Sequence, residues 1–200
     1  MENNVDDVSY IFELVGEIKN SYPIDESRIY LVGLSNGGMI VYRLMSRYPE
    51  LFAACAIVSS SPAGGTDENE VVMINPPDRG VPLIVFHGMK DPIIPFEGGF
   101  SSSSEANGMY FPPVEESVEF WATKMGASTV QETQQENGLV ILKEYTGKDE
   151  RSLVHFYMIT DADHTWPGRE KGLDSLSSSS SASIKASEMI WEFFEGKHLE

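Results

Sequence analysis

The sequence predicts an α/β layer fold on a largely parallel sheet, and three observations carry that expectation. Short β-favouring apolar runs alternate with segments of helical apolar spacing along the 200 residues. In one place the alternation is immediate: Arg28-Ile29-Tyr30-Leu31-Val32-Gly33 passes through Leu34-Ser35-Asn36-Gly37-Gly38 straight into helical spacing at Ile40, Val41 and Leu44. Composition is the third: 41% hydrophobic and 10% aromatic residues can fill one sizeable core without a metal or disulfide framework. A single domain over residues 1–200 is expected.

Over residues 6–21, Val8, Ile11, Phe12, Val15 and Ile18 recur at helical spacing, with Asp6 and Asp7 where a helix amino terminus favours negative charge. Tyr22-Pro23-Ile24-Asp25 ends that pattern, and residues 28–33 read as a strand covered on both faces. The next helix runs until Pro49. Residues 52–58 and 82–86 read as further strands, separated by a Gly/Pro/Asp-rich surface stretch over residues 62–80. Val114, Val118, Trp121 and Met125 outline a helix between Pro112-Pro113 and Gly126. Strands at 139–145 and 153–159 flank the turn Gly147-Lys148-Asp149-Glu150, and Ile184, Ser187, Trp191 and Phe194 mark a last helix. The serine runs at 101–104 and 177–181 have little to bury and read as surface loop or disorder.

Charge narrows the function classes. Fourteen basic and 31 acidic side chains give a net charge of -17, which repels nucleic-acid phosphate and anionic lipid, and no Lys/Arg cluster offsets it. Neither nucleic acid nor a membrane is expected as a partner. No apolar run approaches the ~20 residues needed to span a bilayer, and Met1-Glu2-Asn3-Asn4 lacks a basic-then-apolar leader pattern. Cys55 is the only cysteine and lies in an apolar run, where it reads as a buried small hydrophobe; the compartment stays open.

Gly33-Leu34-Ser35-Asn36-Gly37 has the small-x-Ser-x-small pattern of a nucleophile elbow, after a strand and before a helix as that motif requires. A strained turn lifts the serine hydroxyl above the carboxyl edge of the sheet, and the helix start supplies nearby backbone donors for an oxyanion. The competing reading is a Gly-rich turn with an ordinary serine. No phosphate-loop pattern is present. Serine needs a base, and the base needs an orienting carboxylate. Of His87, His155, His164 and His198, His164 is the best placed, in the polar loop that follows the strand at 153–159. His87 at a strand end is its rival, His155 alternates within a strand, and His198 sits in a tail expected to fray. Asp91 follows the third strand and gives the chain order Ser35, Asp91, His164; Asp161 and Asp163 compete but lie close to His164 in sequence. Trp166, two residues from His164 and before Pro167-Gly168, either walls a substrate pocket or packs under the histidine loop.

These residues carry a resemblance. Val5-Asp6-Asp7-Val8, Tyr22-Pro23-Ile24-Asp25, the block Arg28 through Met39, His87-Gly88 with Asp91-Pro92, and His164-Thr165-Trp166-Pro167-Gly168 resemble the polyhydroxybutyrate-depolymerase-like and feruloyl/acetylxylan esterase group of α/β-hydrolases. The resemblance implies a three-layer α/β-hydrolase sandwich, with Ser35 as nucleophile, Asp91 as orienting acid and His164 as base. It further implies acyl or hydroxycinnamoyl esters as substrates, often on plant polysaccharide, and secretion; hydrolysis through a serine, a histidine and an acid needs no metal or organic cofactor. It also implies an amino-terminal sheet portion that donates part of the oxyanion hole and that this chain lacks, which leaves Asn36 N–H as one donor and no candidate for the second. The expectation is therefore a fold incomplete on its amino-terminal side, completed by a second copy or by an amino-terminal fragment. A noncatalytic binding protein on the same scaffold, and an acyltransferase or peptidase using the same three residues, are the alternative functions.

Overall fold

The computed structural model describes residues 6–103, 106, 108–168 and 184–199. The serine run at 177–181 lies outside the described residues. In chain order, helix α1 (Asp7–Ser21) leads to strand β1 (Tyr30–Leu34), helix α2 (Asn36–Arg47) and β2 (Ala54–Val58). Then come the short strands β3 (Ala63–Gly64) and β4 (Val72–Met73), β5 (Leu83–Gly88), and the short β6 (Gly99–Phe100) and β7 (Tyr110–Phe111). Helix α3 (Val114–Lys124), strands β8 (Ala127–Gln135), β9 (Val140–Gly147) and β10 (Ser152–Ile159), and helix α4 (Ala186–Glu195) complete the order. The central sheet runs β1-β2-β5-β10-β9-β8. Its first three pairings are parallel and its last two antiparallel.

Strand alternation divides the core in two. Cys55 and Ile57 of β2, with Leu83, Val85, Val154 and Phe156, pack against Val41, Tyr42 and Leu44 of α2 and Val118 and Trp121 of α3. Their neighbours Ala54, Ala56 and Val58, with Ile84, Phe86 and Ile159, face Ile190, Phe193 and Phe194 of α4. Burial of both faces makes β2 and β5 continuous apolar runs, and it makes the molecule the expected three-layer sandwich. Asp6 caps α1 by accepting the Ser9 N–H at 3.0 Å, and α2 stops just before Pro49. Cys55 is buried and free.

Three features depart from the sequence expectations. Strand β8, Ala127–Gln135, falls where no strand is predicted, because its largely solvated, polar faces give no alternation to read. Strand β1 is not covered on both faces: Val32 and Leu34 are 46% and 39% exposed. Tyr30, on the same face, stacks on Phe194 at 4.7 Å, whereas α4 packs over β2 and β5 and leaves the rest of that face of β1 open. Helix α1 forms where the apolar spacing puts it and rests on the core through Val8 and Ile11, with Phe12 stacked on Tyr48 at 4.3 Å and none of its residues fully buried. The tail around His198 is tied down, since Tyr30 Oη–H donates to Lys197 O and Leu199 N–H to Ser27 O, each at 2.8 Å. Among the described residues no helix is long and apolar enough to cross a membrane.

Candidate active site

The parallel register brings four strand ends to one edge. Leu34 pairs with Val58, Val58 with Phe86, and Gly88 with Ile159, so the loops after β1, β2, β5 and β10 all emerge together. Ser35 is first among them. Its φ of 56° and ψ of -122° lie outside the regions an L-residue prefers, a strain of about 1–3 kcal/mol that the surrounding packing must over-determine. Gly33 makes that turn feasible: a Cβ there would lie 2.3 Å from Gly37 O and 2.6 Å from Gly38 N, so helix α2 starts against the bare strand. Gly37, in contrast, has open space around its missing side chain, so the close approach rests on the other glycines of the turn. Ser35 N–H donates to Val58 O at 3.0 Å, tying the turn to β2. Asn36 follows at the first position of α2, where a backbone N–H has no intrahelical acceptor.

After β5 the chain turns tightly, with Asp91 N–H donating to Gly88 O at 3.2 Å. The Asp91 carboxylate is buried and fully committed. Its Oδ1 accepts from Ile93 and Ile94 N–H at 2.8 and 2.9 Å, and its Oδ2 lies 2.8 Å from His164 Nδ1. Asp91, rather than Asp161 or Asp163, is the carboxylate that meets His164. The two loops are stapled together by Met89 N–H to Ile159 O at 2.8 Å and Lys90 N–H to Ala162 O at 3.0 Å. Gly88 lets them meet: a Cβ there would sit 2.4 Å from Ala162 O and 2.5 Å from Asp163 O. His87 does not reach the surface. It is wholly buried beneath Asp91, with Nε2 3.0 Å from Ile94 O, and burial lowers its pKa against the opposing pull of Asp91. His155 lies within β10 beside Glu144, its pKa likewise lowered by burial.

From the end of β10 the histidine loop leans across the sheet. Ser59 Oγ–H, just past β2, donates to Thr165 O at 3.4 Å, so the residue after His164 lies over the strand next to β1. Among the described residues no hydrogen bond joins Ser35 Oγ to His164. The structure thus brings Asp91 and His164 into contact and sets Ser35 at the same edge. Trp166 packs on the α4-side core, and its Nε1–H donates to Ser187 Oγ at 3.1 Å. Sequence reasoning passes over Ser59, buried and at φ 46°, which links the serine and histidine sides of the edge. Its signal was legible: Ser59-Ser60-Ser61 is a polar run directly after a buried strand. Among the described residues no three His, Cys, Asp or Glu side chains gather closely enough to hold a metal ion.

Known proteins resemble the chain in sequence and in fold. The chain is 30% identical over 91 residues to a bifunctional acetylxylan esterase/xylanase of Neocallimastix patriciarum, a match covering 46% of this chain and 12% of that protein. It is 28% identical over 127 residues to feruloyl esterase B of Piromyces equi, covering 62% and 23%. The chain therefore spans a quarter or less of these curated relatives. The fold of an acetyl xylan esterase from Aspergillus awamori superposes with a TM-score of 0.55 at 16% identity, over 94% of this chain and 67% of that one. The profile of the Phospholipase/Carboxylesterase family matches residues 2–110, through the elbow, Asp91 and the loop beyond it, and the chain belongs to that family.

Proposed function

We propose that the chain is a serine ester hydrolase acting through a covalent acyl-enzyme at Ser35, with His164 as general base and Asp91 as its orienting acid. The observation that carries this reading is the 2.8 Å contact between His164 Nδ1 and Asp91 Oδ2, made across 73 residues at the sheet edge that also holds the strained Ser35. With Nδ1–H held by the carboxylate, Nε2 is the free, basic nitrogen. Nε2 takes the Ser35 proton as Oγ attacks the ester carbonyl, and the carbonyl oxygen becomes an oxyanion facing Asn36 N–H. The same proton passes to the leaving alcohol, and His164 then activates the water that releases the acid.

The relatives' names make feruloyl and acetyl esters of plant polysaccharide the substrate class to try first, outside the cell as the resemblance implies. In this reading Trp166 walls the acyl or alcohol pocket. The open edge and face of β1 favour a further strand there, from an amino-terminal segment that also supplies the second oxyanion donor; a paired second copy is the other way to close it. Loss of one such donor costs roughly 3 kcal/mol of barrier, so the chain alone is expected to turn over slowly. The same open edge, with Ser35 Oγ not engaged by His164, is what favours the second reading, a binding protein that keeps the scaffold. Hydrolysis of p-nitrophenyl acetate and methyl ferulate by the parent chain and by Ser35→Ala tests the proposal. Equal rates in both would leave the binding role standing.

A further inference from the structure

We infer that His87 is a positioning residue for the Asp91–His164 pair, holding the turn around the Asp91 carboxylate from inside the core while His164 engages the carboxylate from the solvent side. The inference rests on the reading of Asp91 and His164 as acid and base. His87 Nε2 lies 3.0 Å from Ile94 O and 3.4 Å from Asp91 Oδ2. A carbonyl oxygen only accepts, so Nε2 carries the proton and donates it to Ile94 O, with Asp91 Oδ2 at ion-pair distance beside it. With Ile93 and Ile94 N–H on Oδ1, His164 Nδ1–H on Oδ2, and His87 Nε2–H holding the Ile94 carbonyl of the same turn, the carboxylate cannot rotate without breaking a bond.

The other ring nitrogen makes the case. With Nε2 as donor, His87 Nδ1 is a bare acceptor, buried and without a hydrogen-bond partner among the described residues. An unpaired buried acceptor is costly, and a Phe, Leu or Met at this position would fill the space beside Phe96 without that cost. What imidazole adds here over an apolar side chain is an Nε2–H that holds the Ile94 carbonyl, in the same turn whose N–H groups hold Asp91, while lying 3.4 Å from Asp91 Oδ2. Burial favours the neutral ring, so it braces the turn beside the carboxylate without competing, as a cation, for the negative charge that stabilises the His164 imidazolium. The His87-Gly88 pair then has two tasks at one strand end: His87 fixes the acid from below, and Gly88 admits the loop that carries the base.

The test uses the whole 200-residue chain. Nitrogen-15 NMR of its histidines reads the tautomer directly. His87 is expected to carry its proton on Nε2, with Nδ1 bare; a proton on Nδ1 and a bare Nε2 overturns the inference whatever the variants do. In parallel, His87→Gln keeps an N–H donor near the Nε2 position, while His87→Phe removes it and fills the space. The Phe variant is expected to lose the downfield His164 Nδ1–H signal and to lower kcat about twofold to tenfold, the worth of one neutral hydrogen bond, with KM unchanged. The Gln variant is expected to keep both. A Phe variant that melts like the parent and retains signal and kcat refutes the positioning role. Absence of turnover in the parent would defeat the esterase reading instead, and the NMR arms would still decide His87.

Discussion

Ser35 pays for its exposure with backbone strain, and at the scale of single residues that strain is the best guide to what the site does. Alanine keeps a small side chain at φ 56° and removes the hydroxyl, so Ser35→Ala should leave the circular-dichroism melt nearly unchanged and cut turnover by at least about a thousandfold. Asp91→Asn should fold, since an amide oxygen can still accept from Ile93 and Ile94 N–H. Its amide N–H2, however, favours the wrong His164 tautomer, and kcat should fall by about ten-thousandfold, read in a direct ester assay. His87 adds a pH signature. Its pKa is depressed below the usual 6.5, so as the pH falls the unfolded chain takes up a proton that the folded chain resists. The unfolded state binds more protons, and stability present above pH 6.5 is lost progressively below it. Melting curves at about pH 7.5 and about pH 5.5 should therefore converge more in His87→Gln than in the parent.

Among elements, the decisive contact is between the loops after β5 and β10, stapled by two backbone hydrogen bonds and admitted by Gly88. In Gly88→Ala the new Cβ meets backbone oxygens, which cannot swing aside; the loops must part, with loss of the His164–Asp91 contact and a lower Tm. Turnover lost while Tm is unchanged would contradict that account. Trp166 tests the neighbouring segment. If it walls the pocket, Trp166→Ala raises KM for feruloyl esters more than for acetyl esters; equal losses with a lower Tm would mean that its bond to Ser187 and its packing on the α4-side core are its whole role. These elements also show what a sequence discloses. The elbow was legible because its geometry demands Gly33 beside the strained serine. The buried strands β2 and β5 were legible because both faces are apolar. Strand β8 was not, since ladder hydrogen bonds hold it and leave no hydrophobic period behind. The pairing of Asp91 with His164 followed from chain order, but the burial of His87 under them depends on how a four-residue turn folds back, and no spacing encodes that.

On the scale of the whole molecule, the three layers close around β2, β5 and β10 and stay open at β1, which among the described residues pairs only with β2 and exposes Val32 and Leu34. Light scattering after size-exclusion chromatography should show self-association or, for a monomer, an esterase that stays slow until an amino-terminal segment is supplied. A compact monomer with full activity would mean that β1 needs no partner and that the second oxyanion donor lies elsewhere in this chain. The central claim, that Ser35, Asp91 and His164 act as one hydrolytic unit, does not depend on the rate. It is tested most directly by incubating the chain with a fluorophosphonate and mapping the adduct by intact-mass and peptide mass spectrometry. The account predicts one adduct, on Ser35, absent in Ser35→Ala and greatly slowed in Asp91→Asn. A folded chain that takes no label, or that takes it equally after Ser35→Ala, would contradict it.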